Sequence, residues 1–267
     1  MPDEVSKCVD IESNGQVLTL IIDRPKALNA LSGDVLQEIS QHLSEIQQKL
    51  SRGDDYRVLF VRGAGEKAFV AGADIKVMQG GDKSQVEKFI ELGQSVMNDI
   101  EQLPLAVVAV VDGFAIGGGL ELALACDLIL ATEAAKVGQA EVNLGIIPGF
   151  GGTQRLANRV GVGAAKRLIF TGETISSEEA NRMGMFDWLV PAVELDSKIS
   201  EISALICSKG PLAVAASKRA INAKYQESQS SGLKREISEF IDVFSSSDAK
   251  EGLTAFVEKR APSFRRK

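Results

Sequence analysis

Residues 106–111 read Ala-Val-Val-Ala-Val-Val, an unbroken apolar run behind Pro104. A strand with one wet face alternates in polarity, so an unbroken run suits a strand buried on both faces of a sheet. Further runs fit around it. Val17 to Ile22 is a β-rich run closed by Asp23-Arg24-Pro25, and Val58 to Val61 is a short buried strand closed by Gly63-Ala64-Gly65. Between them Val35, Leu36, Ile39, Leu43, Ile46 and Leu50 recur at helical spacing. Helices are expected to open at Asp74, over Val86 to Ile100 and over Gly117 to Ala125, with strands at Leu128 to Ala131 and Lys136 to Gln139. From Gly152 onward the pattern is helical apart from an extended piece at Phe186 to Val190, and Ser176/Glu179 and Asp248/Glu251 have capping-box spacing. The first three-quarters therefore mixes strands and helices, and the last quarter is all helix. The expected division is 1–194 for a core with the active site and 195–267 for a helical region, whose tail Arg265-Arg266-Lys267 reads as a solvated end.

Two apolar, glycine-bearing segments each carry a carboxylate: Glu121 in GGGLELALACD and Glu141 in GQAEVNLGIIPG. An apolar segment has no place for a carboxylate unless something satisfies it or uses it. Two such groups in one cleft can divide acid and base roles. Each segment also has a plain reading. Gly117-Gly118-Gly119 suits either the approach of a ligand to bare backbone or a close strand–helix contact, and Glu141 can be a solvated loop residue. AGAD at Ala71 to Asp74 can be a turn with an N-cap aspartate, or a helix start whose free N–H groups hold a developing oxyanion. Their order and spacing together favour chemistry.

Other classes fit poorly. The net charge of -6 offers no basic surface for nucleic acid. Cys8, Cys126 and Cys207 lie far apart, with neither metal-ligand spacing nor a disulfide framework, which points to a reducing compartment. The start MPDEVSKCVD has no apolar core of a signal peptide, and no run is long enough to cross a membrane, so the expected location is the cytoplasm. His42 is the only histidine and reads as a surface residue, which leaves no Ser–His–Asp triad and no metal site. Gly63 to Ala68 loosely fits a dinucleotide fingerprint, but no helix opens on its glycines, so it reads as a plain loop. The Gly149 to Thr153 segment lacks the lysine of a P-loop.

DRPKALNAL (Asp23 to Leu31), KAFVAGADIK (Lys67 to Lys76), GGGLELALACD (Gly117 to Asp127), GQAEVNLGIIPGFGGTQRL (Gly138 to Leu156) and EGLTAFVEKR (Glu251 to Arg260) together resemble the enoyl-CoA hydratase (crotonase) family, specifically its short-chain hydratases. The resemblance implies an α/β fold, a spiral of ββα units with a C-terminal helical trimerisation region, and a homohexamer built as a dimer of trimers. It implies an acyl-CoA thioester substrate, with coenzyme A as part of the substrate and no separate cofactor. The reaction implied is reversible addition of water to a trans-2-enoyl-CoA, as in fatty-acid β-oxidation. Glu121 and Glu141 match the acid–base pair, and the backbone N–H groups of Ala73 and Gly118 match the oxyanion hole. Coenzyme A and substrate contacts map onto Lys26, Ala27, Leu28, Ala71, Asp74, Ile75, Lys76 and Gly149, with Phe256 and Lys259 reaching the coenzyme A of a neighbouring subunit. Ala140 stands where a proline usually precedes the second glutamate, and Val77 where a glutamate often stands. Both departures bear on acyl-chain preference. A hydratase for branched enoyl-CoA such as methylglutaconyl-CoA, or a Δ3,Δ2-enoyl-CoA isomerase, are the alternatives.

Overall fold

The computed structural model describes residues 7–267; the first residues of the start, on which the expectation of no signal peptide rests, lie outside them. In chain order the elements are β1 (Val9–Asn14), β2 (Val17–Ile22), α1 (Gly33–Ser51), β3 (Val58–Gly63), β4 (Ala68–Val70), α2 (Lys76–Gln79), α3 (Lys83–Gln102), β5 (Ala106–Val111), β6 (Phe114–Ile116), α4 (Gly118–Ala125), β7 (Leu128–Thr132), β8 (Lys136–Gly138), α5 (Gly152–Val160), α6 (Val162–Thr171), β9 (Ile175–Ser176), α7 (Ser177–Arg182), β10 (Trp188–Val190), α8 (Leu195–Cys207), α9 (Pro211–Asn222), α10 (Gln229–Phe244) and α11 (Ser247–Val257).

The strands form a six-stranded sheet in the order β1-β2-β3-β5-β7-β10 and a four-stranded sheet in the order β4-β6-β8-β9. After the β1–β2 hairpin every pairing in the larger sheet is parallel. The chain repeatedly lays a strand in the large sheet, then one in the small sheet, then a helix. β3-β4-α2, β5-β6-α4 and β7-β8-α5 are successive turns of this ββα spiral.

β5 is buried at all six positions and pairs with β3 on one side and β7 on the other. Its alternate residues serve two cores, as the unbroken run requires. Val107, Ala109 and Val111 pack with Leu36 and Ile39 of α1 and Val96 and Met97 of α3. Val108 and Val110 pack with Val58 and Phe60 of β3 and with Leu195 and Ile202 of α8. α1 opens on Ser32, whose side chain accepts from Val35 N, and its buried face is the apolar set spaced at helical intervals in the sequence. Among the described residues no single helix is long and apolar enough to cross a membrane.

Several local expectations are corrected. No helix opens at Asp74: α2 is one turn that starts at Lys76, and Asp74 instead meets Arg24 at 3.4 Å. The cap of α11 is Ser246, not Asp248. Asp248 is buried and accepts the backbone N–H groups of Arg265 and Arg266 at 2.7 and 2.9 Å. The tail is consequently docked rather than solvated. Arg266 reaches the carbonyls of Tyr56 and Pro104, and the buried Arg57 donates to the carbonyl of Phe264 at 2.9 Å. His42 is half-buried and its Nε2 lies 3.3 Å from Val9 O, so it packs β1 onto α1 rather than standing on the surface.

Candidate active site

α4 is apolar around nearly its whole circumference and starts on glycines, so it sits in the core and presents its first turn where β6 ends. Gly117 holds φ +53°, a conformation that side chains disfavour, and its N–H donates to Gly138 O of β8 at 2.8 Å. Glu121 lies in that first turn and is 2% exposed. Its Oε1 accepts Phe150 N at 2.8 Å and Gly152 N at 2.7 Å. Burial pushes its pKa up to about 7; the two amides oppose the rise and the charge of Glu141 adds to it.

Glu141 opens the 3-10 turn Glu141–Leu144 just beyond β8. Its Oε1 lies 2.8 Å from where a β-carbon on Gly117 would stand, so the second acid leans on the glycine that starts α4. Burial raises its pKa too. Gln139, fully buried, links the acids. With its amide nitrogen toward Glu141 it donates to both carboxylate oxygens, at 3.0 and 3.1 Å. On its other side it packs with Glu121 around Gly152, where no β-carbon would fit. The two carboxylates therefore line one cavity, and the charge of Glu141 adds to the rise in the pKa of Glu121.

Two amides face the same space. Leu31 grips the segment around Ala73 from both sides: its N–H donates to Gly72 O at 2.9 Å and its carbonyl accepts Asp74 N at 2.8 Å. That parallel bridge leaves Ala73 N–H pointing away. Among the described residues neither Ala73 N–H nor Gly118 N–H has a protein acceptor. A β-carbon on Gly118 would stand 3.2 Å from Ala73 N, so the two backbone segments lie close and glycine keeps the space between them open.

A cavity of about 270 Å³ joins these groups. Ala71, Ala73, Ile75, Gly117, Gly118, Glu121, Glu141 and Gly149 all line it, and so does Ala140. Its rim carries the exposed apolar residues Ile75, Leu144, Ile146 and Ile147. Lys26, Ala27 and Leu28 form an exposed loop beside it, tied by Ala71 N donating to Leu28 O at 3.0 Å. Buried Asn29 shapes that loop by accepting Arg24 N and donating to Ala64 O and Ala68 O, each at 2.9 Å. A groove lined by Lys26, Leu28 and Lys67 runs there. Phe256 and Lys259 lie on and just after α11 and line neither the cavity nor this groove. The side chains of Lys76 and Val77 lie outside the described residues. Gln139 and the donors Phe150 N and Gly152 N went unrecognised in the sequence. The one signal was a glutamine just past β8, two residues before Glu141.

Two backbone amides without a protein acceptor and two buried acids lining one cavity are groups able to bind a carbonyl oxygen and to move protons beside it. The profile of the enoyl-CoA hydratase/isomerase family matches residues 12–267. A short-chain-enoyl-CoA hydratase of Clostridium acetobutylicum is 46% identical, over 94% of this chain and 95% of its own length. A crotonyl-CoA hydratase of Syntrophomonas wolfei is 44% identical, over 95% and 96%. The crystal structure of an enoyl-CoA hydratase from Bacillus anthracis superposes with a TM-score of 0.92 at 40% identity, covering 98% of this chain and all of that one. The chain belongs to the enoyl-CoA hydratase/isomerase family and has the crotonase fold.

Proposed function

We infer that this protein is an enoyl-CoA hydratase, a hydro-lyase that adds water reversibly to a trans-2-enoyl-CoA thioester and forms a 3-hydroxyacyl-CoA. The observation that carries this is the convergence of Glu121, Glu141 and the free amides of Ala73 and Gly118 on one cavity. The names of the two bacterial relatives point the same way. Ala73 N–H and Gly118 N–H hold the thioester oxygen and stabilise enolate-like charge, an effect of about 3 kcal/mol per donor. Glu121, ionised, takes a proton from water as its oxygen bonds to the β-carbon. Glu141, protonated, gives a proton to the α-carbon on the same face. Burial raises the pKa of both acids, that of Glu121 to about 7. The exposed Lys26 loop and its groove offer a berth for the coenzyme A portion, and the enzyme needs no other cofactor. The test is hydration of crotonyl-CoA in oxygen-18 water. Label in the 3-hydroxy product supports hydration; no label from crotonyl-CoA, with 3-butenoyl-CoA converted only to unlabelled crotonyl-CoA, assigns isomerase chemistry instead.

α10 carries an exposed apolar stripe of Leu233, Ile237, Phe240, Ile241 and Phe244, and α11 adds Leu253, Phe256 and Val257. So much apolar surface calls for a partner. In the assembly we propose, copies of this chain cover it as trimers that pair into a hexamer, and Phe256 and Lys259 then reach a neighbour's coenzyme A. A cytoplasmic location suits Cys8, Cys126 and Cys207, none of which forms a disulfide among the described residues.

A further inference from the structure

The loop that feeds two amides to Glu121 also carries a phenyl ring, and α3 has a notch shaped for it. Phe150 is 1% exposed and lines the cavity. One edge of its ring lies where a β-carbon on Gly93 of α3 would be, at 2.2 Å; the other edge approaches the β-carbon position of Gly118 to 3.3 Å. Phe89, one turn earlier on α3, meets the ring edge-on with centroids 5.4 Å apart. A glycine in the middle of a helix weakens it, and the ring filling the space explains its presence.

This ring cannot swing aside cheaply. Phe150 N donates to Glu121, Phe150 O accepts Arg155 Nη1 at 3.0 Å, and Gly149 O accepts Gln94 Nε2 of α3 at 2.8 Å. The backbone is thus pinned on both sides of the ring, and the ring is wedged between α3 and α4. Resting on the hydratase reading, the thioester oxygen sits at Ala73 and Gly118 and coenzyme A leaves past Lys26 to Leu28. Carbons beyond the reacting double bond then run away from that loop, past Glu121 and toward Phe150. We propose that Phe150, seated in the notch of Gly93, is the specificity-determining residue that closes the acyl end of the cavity and confines the enzyme to short chains.

The test is kcat/KM across trans-2-enoyl-CoA thioesters of four to twelve carbons. The wild-type protein turns over the four-carbon substrate best and falls off steeply with length. In Phe150→Ala the ratio of ten-carbon to four-carbon kcat/KM rises by about tenfold or more. Phe150→Leu, which removes less of the core, moves the ratio in the same direction and decides the matter if the alanine variant does not fold. Adding Gly93→Phe to Phe150→Ala refills the notch from the helix side and returns the ratio toward wild type. An unchanged ratio in the folded variants, or a wild-type protein with no preference for short chains, overturns the proposal. Failure of the wild-type protein to hydrate any enoyl-CoA instead refutes the hydratase reading beneath it.

Discussion

Gln139 faces Glu141, and with its amide nitrogen turned toward the acid it reaches both carboxylate oxygens, at 3.0 and 3.1 Å. Donation to a carboxylate favours its charged form and fixes its orientation. Gln139→Met, similar in length but without a donor, therefore raises the pKa of Glu141. The alkaline limb of the pH–rate profile for crotonyl-CoA hydration moves to higher pH, and kcat falls by about tenfold or more as the acid loses its aim. A profile that keeps its shape would assign Gln139 to packing alone.

Gly117 meets Glu141 from the other side. Gly117→Ala adds a β-carbon 2.8 Å from Oε1 in a residue already at φ +53°. The acid is pushed away from the α-carbon, and displacement of a catalytic group by about 1 Å costs on the order of 100-fold in rate. The expected result is a large fall in kcat with a modest change in KM, read by steady-state kinetics alongside thermal unfolding to verify the fold.

Glu121 makes stability depend on pH. Its pKa is pushed from 4.5 to about 7 by burial, so between those values the folded protein keeps a proton that the unfolded chain has released. The stabilisation is complete below the unfolded value and is lost as pH rises through the folded one. At about 1.4 kcal/mol per pKa unit the loss is on the order of 3 kcal/mol. Glu121→Gln, which never ionises, is accordingly more stable than wild type at pH about 8, and the difference shrinks toward pH about 5. Urea midpoints at both pH values measure it; an equal difference at the two would contradict the burial account.

The apolar stripe of α10 predicts the assembly's response to charge. Phe240→Asp puts an unpaired carboxylate into the surface that copies of the chain cover in the proposed oligomer. Light scattering after size exclusion should show smaller species. An unchanged mass would move the contact elsewhere.

Much of the large sheet was legible. β2, β3 and β5 announce themselves as apolar runs, and α1 by its spacing, because in these elements burial alone decides the residue types. The small sheet was mostly not. β4 and β6 have three residues each and β9 two, too short to show a period, and their pairing is set by neighbours distant in sequence. β1 escaped as well, because most of its residues are half-exposed or exposed. Asp248 looked like a cap because it stands before a helical run; Ser246 takes that role and frees Asp248 to bind the tail. In the site, Glu121 and Glu141 stood out as charges in apolar surroundings. Gln139, Gly93 and Phe150 did not, since their roles lie in contacts with other parts of the chain: an acid for the first, and each other for the second and third.

In the proposed reaction Glu121 and Glu141 both act on the enoyl double bond. The direct measurement is crotonyl-CoA hydration by Glu121→Gln and by Glu141→Gln, with binding of an unreactive acyl-CoA measured in parallel. Each substitution is predicted to lower kcat by about 100-fold to 10,000-fold while binding changes little. Full turnover by either variant would remove that residue from the reaction.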